Sequence, residues 1–166
     1  TPAHDDQQNS LWSRYSAEIL ATTAALPIAT VQVLPATGYS VPNALLTFAA
    51  TYRHADGADR IRYADLLINT SPGTVNAIYL RYDALANRMY LRRPDDLVWQ
   101  GGAAPGSGGT VGNTYVILVY SQCAVVASGE TMTVTWALVP SDRTSGFRHN
   151  LYLRAEDLGG LIAGWD

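Results

Sequence analysis

The sequence predicts an all-β domain, a two-sheet antiparallel β-sandwich of immunoglobulin-like or jelly-roll-like kind, carried behind an extended N-terminal segment. Three observations lead there. Side chains alternate with period two through residues 76–93 (NAIYLRYDALANRMYLRR) and again through 131–139 (TMTVTWALV). The apolar runs are short and are separated by Gly, Pro, Asp and Asn rather than by helical stretches. Composition agrees: 48% of the 166 residues are hydrophobic and 15% charged, against about 25% charged on average, with 10 tyrosines and 14 glycines.

Taken in order, residues 1–10 are polar. Residues 11–26 (LWSRYSAEILATTAAL) fit two readings. Leu11, Tyr15 and Ile19, with Trp12 and Leu20 beside them, suit a short helix, while the Thr/Ala-rich remainder also suits an extended strand. Pro27 closes this segment, and 28–34 reads as a strand. Residues 44–52 and 60–69 read as core strands flanking the turn HADGAD, where Gly57 suits positive φ. The hairpin follows. Ile78, Leu80, Tyr82, Met89 and Leu91 form its core face, and Asn87 suits a left-handed position ending the connection. Residues 95–112, ending GGAAPGSGGTVG, read as a long exposed loop. Residues 115–126 read as one nearly continuous apolar strand, 131–139 as a strand with Met132, Val134, Trp136 and Leu138 inward, and 147–154 as the last clear strand. Seven or eight strands result, and no internal repeat is evident. The organisation expected is an extension over 1–30 and a sandwich over 31–166.

Charge and composition exclude several functions. A net charge of −3 leaves no basic excess to neutralise phosphates, so nucleic acid is not a partner. No apolar run approaches the roughly 18 residues of a membrane span, and no targeting signal is visible. Cys123 is the single cysteine and reads as a small core hydrophobe.

Catalytic, cofactor and metal sites are all expected to be absent. The His54, Asp56 and Asp59 turn lacks the ladder of a calcium loop. Ser107 lacks the G-x-S-x-G spacing, since Pro105 takes the first place. His4, His54 and His149 are scattered, with His149 expected on a strand face. Asp56, Asp59, Asp65 and Asp83 sit near turns, where capping and solvation explain them. The best surface signal is the strip Tyr79, Arg81, Arg88, Tyr90 and Arg92 on the hairpin's outward face, since tyrosine and arginine are enriched at interface hot spots. Ordinary cross-strand pairing on a solvent face explains the same strip equally well, and sugar binding less well. Asn69-Thr70-Ser71 is a possible glycosylation sequon.

Several segments together resemble a β-sandwich module of unknown function from large secreted or surface proteins of environmental bacteria. The matching pieces are LLTFAATYRHADG (45–57), LLINTSPGTVNAIYLRYDALANRMYL (66–91), YSQCAV (120–125), SGETMTVTWAL (128–138) and NLYLRAEDLGGLIAGW (150–165). The resemblance runs from about residue 31 to residue 165 and implies an extracellular or cell-surface location. Where the module commonly has a cysteine partnering the one matching Cys123, this chain has Ile78, so that cross-link is lost. The module also continues beyond the Gly-Trp pair into a further strand. A missing edge strand and a spare N-terminal segment are what donor-strand assembly requires. The expectation is a pilus-like filament subunit, its partners being copies of itself and covalent or bound glycans. Leu11, Trp12, Tyr15, Ile19, Leu20 and Trp165 are the expected docking residues, and Trp165 is also expected to plug the core. A glycan- or protein-binding adhesive module is the alternative.

Overall fold

The computed structural model describes residues 26–165. Two antiparallel sheets face each other across one core, a β-sandwich. In the first sheet the order is β1 (Ile28–Leu34), β2 (Leu46–His54), β10 (Thr131–Pro140), β8 (Val116–Val119) and β7 (Thr110–Gly112), with β9 (Ala124–Ser128) also paired to β10. The second runs β12 (Ile162–Gly164), β11 (Asn150–Asp157), β3 (Ile61–Asn69), β4 (Ile78–Asp83), β5 (Arg88–Arg92) and β6 (Trp99–Ala103).

The alternation read from residues 131–139 places Met132, Val134, Trp136 and Leu138 in the core, and Trp136 is fully buried. The hairpin is β4 and β5, with Leu80 opposite Leu91 and Tyr82 opposite Met89, all of them inward. Asn87 takes φ 51 in its connection and Gly57 takes φ 118 in the β2–β3 turn, both as the turn chemistry suggests. Tyr52 spans the sandwich: its hydroxyl donates to the Asp65 carbonyl at 2.8 Å, tying β2 to β3.

Four expectations are corrected. Residues 95–112 are not one long loop, because β6 and β7 lie within them; Gly101 takes φ 94 yet still pairs with Tyr90. Residues 115–126 are not one strand. A 3-10 turn at Tyr120–Gln122 breaks the run into β8 and β9, held by Cys123 N–H on the Tyr120 carbonyl at 3.0 Å and the Cys123 thiol on the Val119 carbonyl at 3.3 Å. The last long strand starts at Asn150, so Phe147 and His149 precede it, and Phe147 is exposed. Finally, β1 begins at Ile28, upstream of the boundary expected at residue 31, and Ile28 is a core residue. The helix-or-strand question over residues 11–26 falls almost wholly outside the described residues.

The broken β8–β9 run decides the shape of one flank. Both halves pair with β10, β8 through Leu138, Val139 and Pro140 and β9 through Thr131 to Thr135. Beside β8 the sheet continues into β7, which packs against β5 and β6. Beside β9 no further strand follows among the described residues.

Candidate functional site

Two places stand out, and the first collects residues that the sequence points to. The first is the outer face of the second sheet. Strands β11, β3 and β4 bring Arg154, Asp65 and Arg81 into one row, since Arg154 pairs with Asp65 and Asp65 with Arg81. Asp65 is fully buried, in mid-strand and away from any turn, which overturns its reading as a solvated turn residue. Arg81 grips it with both arms, Nε on Oδ1 and Nη2 on Oδ2, each at 2.8 Å. Arg154 donates to Oδ2 at 3.0 Å and to Glu156 at 2.8 Å, and the Tyr79 hydroxyl also donates to Oδ2 at 3.0 Å. Two cations and two carboxylates therefore balance. A buried carboxylate demands such partners, because an unpaired charge out of water costs several kcal/mol.

Aromatic rings cover this row. Tyr79 meets the edge of Trp99 at 4.8 Å and of Trp165 at 5.3 Å between centroids, and is itself buried. The Arg81 guanidinium lies over Tyr63 at 4.3 Å and over Trp99 at 4.7 Å. Burial pushes the Tyr79 hydroxyl well above the ordinary tyrosine range, and the charge of Asp65 adds to it. Desolvation pulls Arg81 down, but the hydrogen bond and charge of Asp65 outweigh it and hold the guanidinium firmly protonated. Chemically the arrangement is a closed lock with no free nucleophile, acid or base.

The expected outward strip is thus divided. Tyr79 and Arg81 are consumed by the lock. Arg88 is exposed and donates to the Gly102 carbonyl at 3.0 Å, Tyr90 is half-buried near Trp99, and Arg92 donates to Asp96 at 2.8 Å. Trp165 does not plug the space between the sheets; it stands half-buried on this outer face against Tyr79. Gly164 makes that possible, since at φ 90 its Cα lies so close to the Leu153 carbonyl that no Cβ would fit. One signal in the sequence marks this covered face: DLLI at 65–68 is a continuous apolar run after an aspartate, not an alternation, as a strand buried on both faces shows.

The second place is a groove of about 660 Å³ between the edge of β9 and the β4–β5 turn. Its floor is core: Ile61, Tyr82, Cys123 and Met132. Its walls are Ala127 and Val125 of β9 on one side and Ala84 and Leu85 of the hairpin turn on the other. Burial pushes the Cys123 thiol up, so it is no thiolate. On the opposite side of β9, Val126 is 65% exposed. No sequence signal points here, because the groove exists only through the break between β8 and β9.

The remaining residues lie apart. Leu11, Trp12, Tyr15, Ile19, Leu20 and His4 lie outside the described residues. His54 is buried at the end of β2 rather than in the turn, 3.4 Å from Asp157. Ser107 donates to the Ala104 carbonyl at 2.6 Å. Asn69, half-buried at the end of β3, donates its amide to the Gly73 carbonyl at 2.7 Å and accepts from Thr70 N–H at 2.9 Å. Among the described residues no three His, Cys, Asp or Glu side chains gather as a metal site, and no helix is long and apolar enough to cross a membrane. Comparison with protein-family models, curated proteins and solved structures finds no match.

Proposed function

We propose that this protein is a structural subunit of an extracellular, pilus-like filament, in which copies join head to tail by docking of the N-terminal segment onto a neighbour. The observation that supports this is the distribution of exposed apolar surface. The outer face of the first sheet carries threonines, with Thr51 and Thr133 in hydrogen-bond contact at 3.1 Å, and that of the second is closed by the Asp65 lock. Exposed large apolar residues lie instead on edge strands and connections, among them Val31 and Leu34 on β1, Tyr39 and Val41 in the β1–β2 loop, Leu85, and Val126 on β9; Ile117 on β8 is the exception. A sandwich with closed faces and apolar edges suits contact along an edge, where an added strand satisfies main-chain groups and apolar side chains together. A head-to-tail contact whose rotation does not close a ring propagates as a filament.

Negative-stain electron microscopy of the full chain, beside a chain lacking residues 1–25, tests the reading. Uniform fibres that vanish with the truncation are expected; equal polymerisation of both chains would sink it. The alternative, a glycan- or protein-binding module, keeps Arg88, Tyr90 and Arg92 as its surface. It is the better reading if Arg88→Ala with Tyr90→Ala abolishes attachment to a glycan surface while leaving fibres unchanged.

A further inference from the structure

We infer that the acceptor for a neighbour's N-terminal segment is the groove beside β9, with Leu11, Tyr15 and Ile19 entering it as an added strand; this rests on the filament reading above. Four observations converge. First, β9 is an edge that lost its neighbour: the sheet continues beyond β8 into β7 and stops at β9 among the described residues. Second, the groove under that edge is lined by Ala84, Leu85, Val125 and Ala127, with Asp59 and Asn87 beside them, and its floor is the already buried Ile61, Cys123 and Met132, so an apolar side chain laid in it is removed from water.

Third, residues 1–25 are the length of chain outside the described fold, and their pattern suits the site. Read with period two, Leu11, Ser13, Tyr15, Ala17, Ile19 and Ala21 share one side, and Arg14, Ser16 and Glu18 stand on the other with Trp12 and Leu20 at its ends. Trp12 or Leu20 on the second side would cover exposed Val126.

Fourth, the route favours a second copy. The chain enters β1 at Ile28, and β2 and β10 separate β1 from β9. At that end the β2–β3 loop and the β9–β10 turn are tied together, His54 N–H to the Glu130 carbonyl at 2.9 Å and Ala58 N–H to the Gly129 carbonyl at 2.9 Å. A segment docking on its own β9 must pass both, which a neighbour's segment need not do.

Disulfide trapping in the full chain decides it. Ala17→Cys and Ala127→Cys chains are mixed, assembled and mildly oxidised, with the unsubstituted chain controlling for Cys123 and Val31→Cys replacing Ala127→Cys as a rival edge on β1. The expected result is a cross-link between residues 17 and 127 of different chains, identified by mass spectrometry, and at least a tenfold loss of fibre mass in Ala127→Lys with an unchanged circular dichroism spectrum. Cross-linking to Val31→Cys instead, or fibres with no 17–127 link, would overturn the groove assignment and leave the filament reading standing. A 17–127 link formed within one chain of the double variant, and absent from the mixture, would overturn docking between copies. A link between chains without any fibres would support the groove and sink the filament reading.

Discussion

The outer face of the second sheet and the β9 edge of the first are both rich in apolar and aromatic side chains, yet one is closed and the other open. On the closed face the chain supplies its own cover. Asp65 has two guanidinium partners and a tyrosine, and Trp99 and Trp165 roof the row. At β9 nothing among the described residues answers the edge, and a groove runs between Ala127 and Leu85. The lesson is that a conspicuous Tyr/Arg strip can be spent on internal stability, while a plain AVVAS strand is left as an open edge.

That contrast can be broken most severely at Asp65. Asp65→Ala leaves Arg81 and Arg154 facing each other without their counter-charge and should cost about 3–5 kcal/mol, read as a fall in the denaturation midpoint. A loss below about 1 kcal/mol would mean the face is held by its aromatic roof and not by the ion row. Replacing the whole charged row with apolar side chains of similar volume should be far milder than removing Asp65 alone, because no orphaned charge remains.

A smaller effect is expected at Asp157, which accepts from Gly159 and Leu161 N–H at 2.8 Å each and lies beside His54. Burial alone raises its pKa, but the Leu161 N–H, His54 and the Gly159 N–H outweigh that and bring it below the ordinary 3.8. The folded state therefore favours the ionised form. This stabilisation is present above about pH 4 and is lost as the pH falls through the lowered value. Thermal melts between pH 7 and pH 2 should show it, with Asp157→Asn costing about 1.5–3 kcal/mol at neutral pH and flattening the acid slope. An unchanged slope would shift the acid sensitivity onto Asp96, whose carboxyl is also held low by Thr74 and Arg92 against the opposing effect of burial.

The least effect belongs to the open side. Arg53 and Glu130 pair there with side chains 49% and 47% exposed, so Arg53→Ala should change stability by only about 0–1 kcal/mol, and less in high salt. A loss above 2 kcal/mol would show that this end is tied as tightly as the closed face.

Much of the sandwich was legible. Alternation at 76–93 and 131–139 reports directly which side chains face the core, because strand side chains must point to opposite faces. Asn87 and Gly57 announced their turns through the backbone they tolerate. The strip at Tyr79 and Arg81 is legible as a strip, with interface contact and ordinary cross-strand pairing both open, since periodicity says which face a residue occupies and not what lies over it. Phe147 and His149 looked like strand residues and were not, because the chain turns at Gly146 before pairing begins.

The sequence by itself determined the all-β class, the β4–β5 hairpin and the inward set around Trp136. These follow from local steric rules and from the need to remove apolar surface from water. Only the tertiary structure decided that Asp65 is the centre of a buried ion row and that β9 borders a groove. Both depend on partners far apart in the chain: Arg154 meets Asp65 only when β11 pairs with β3, and Ala127 faces Leu85 only when the two sheets pack.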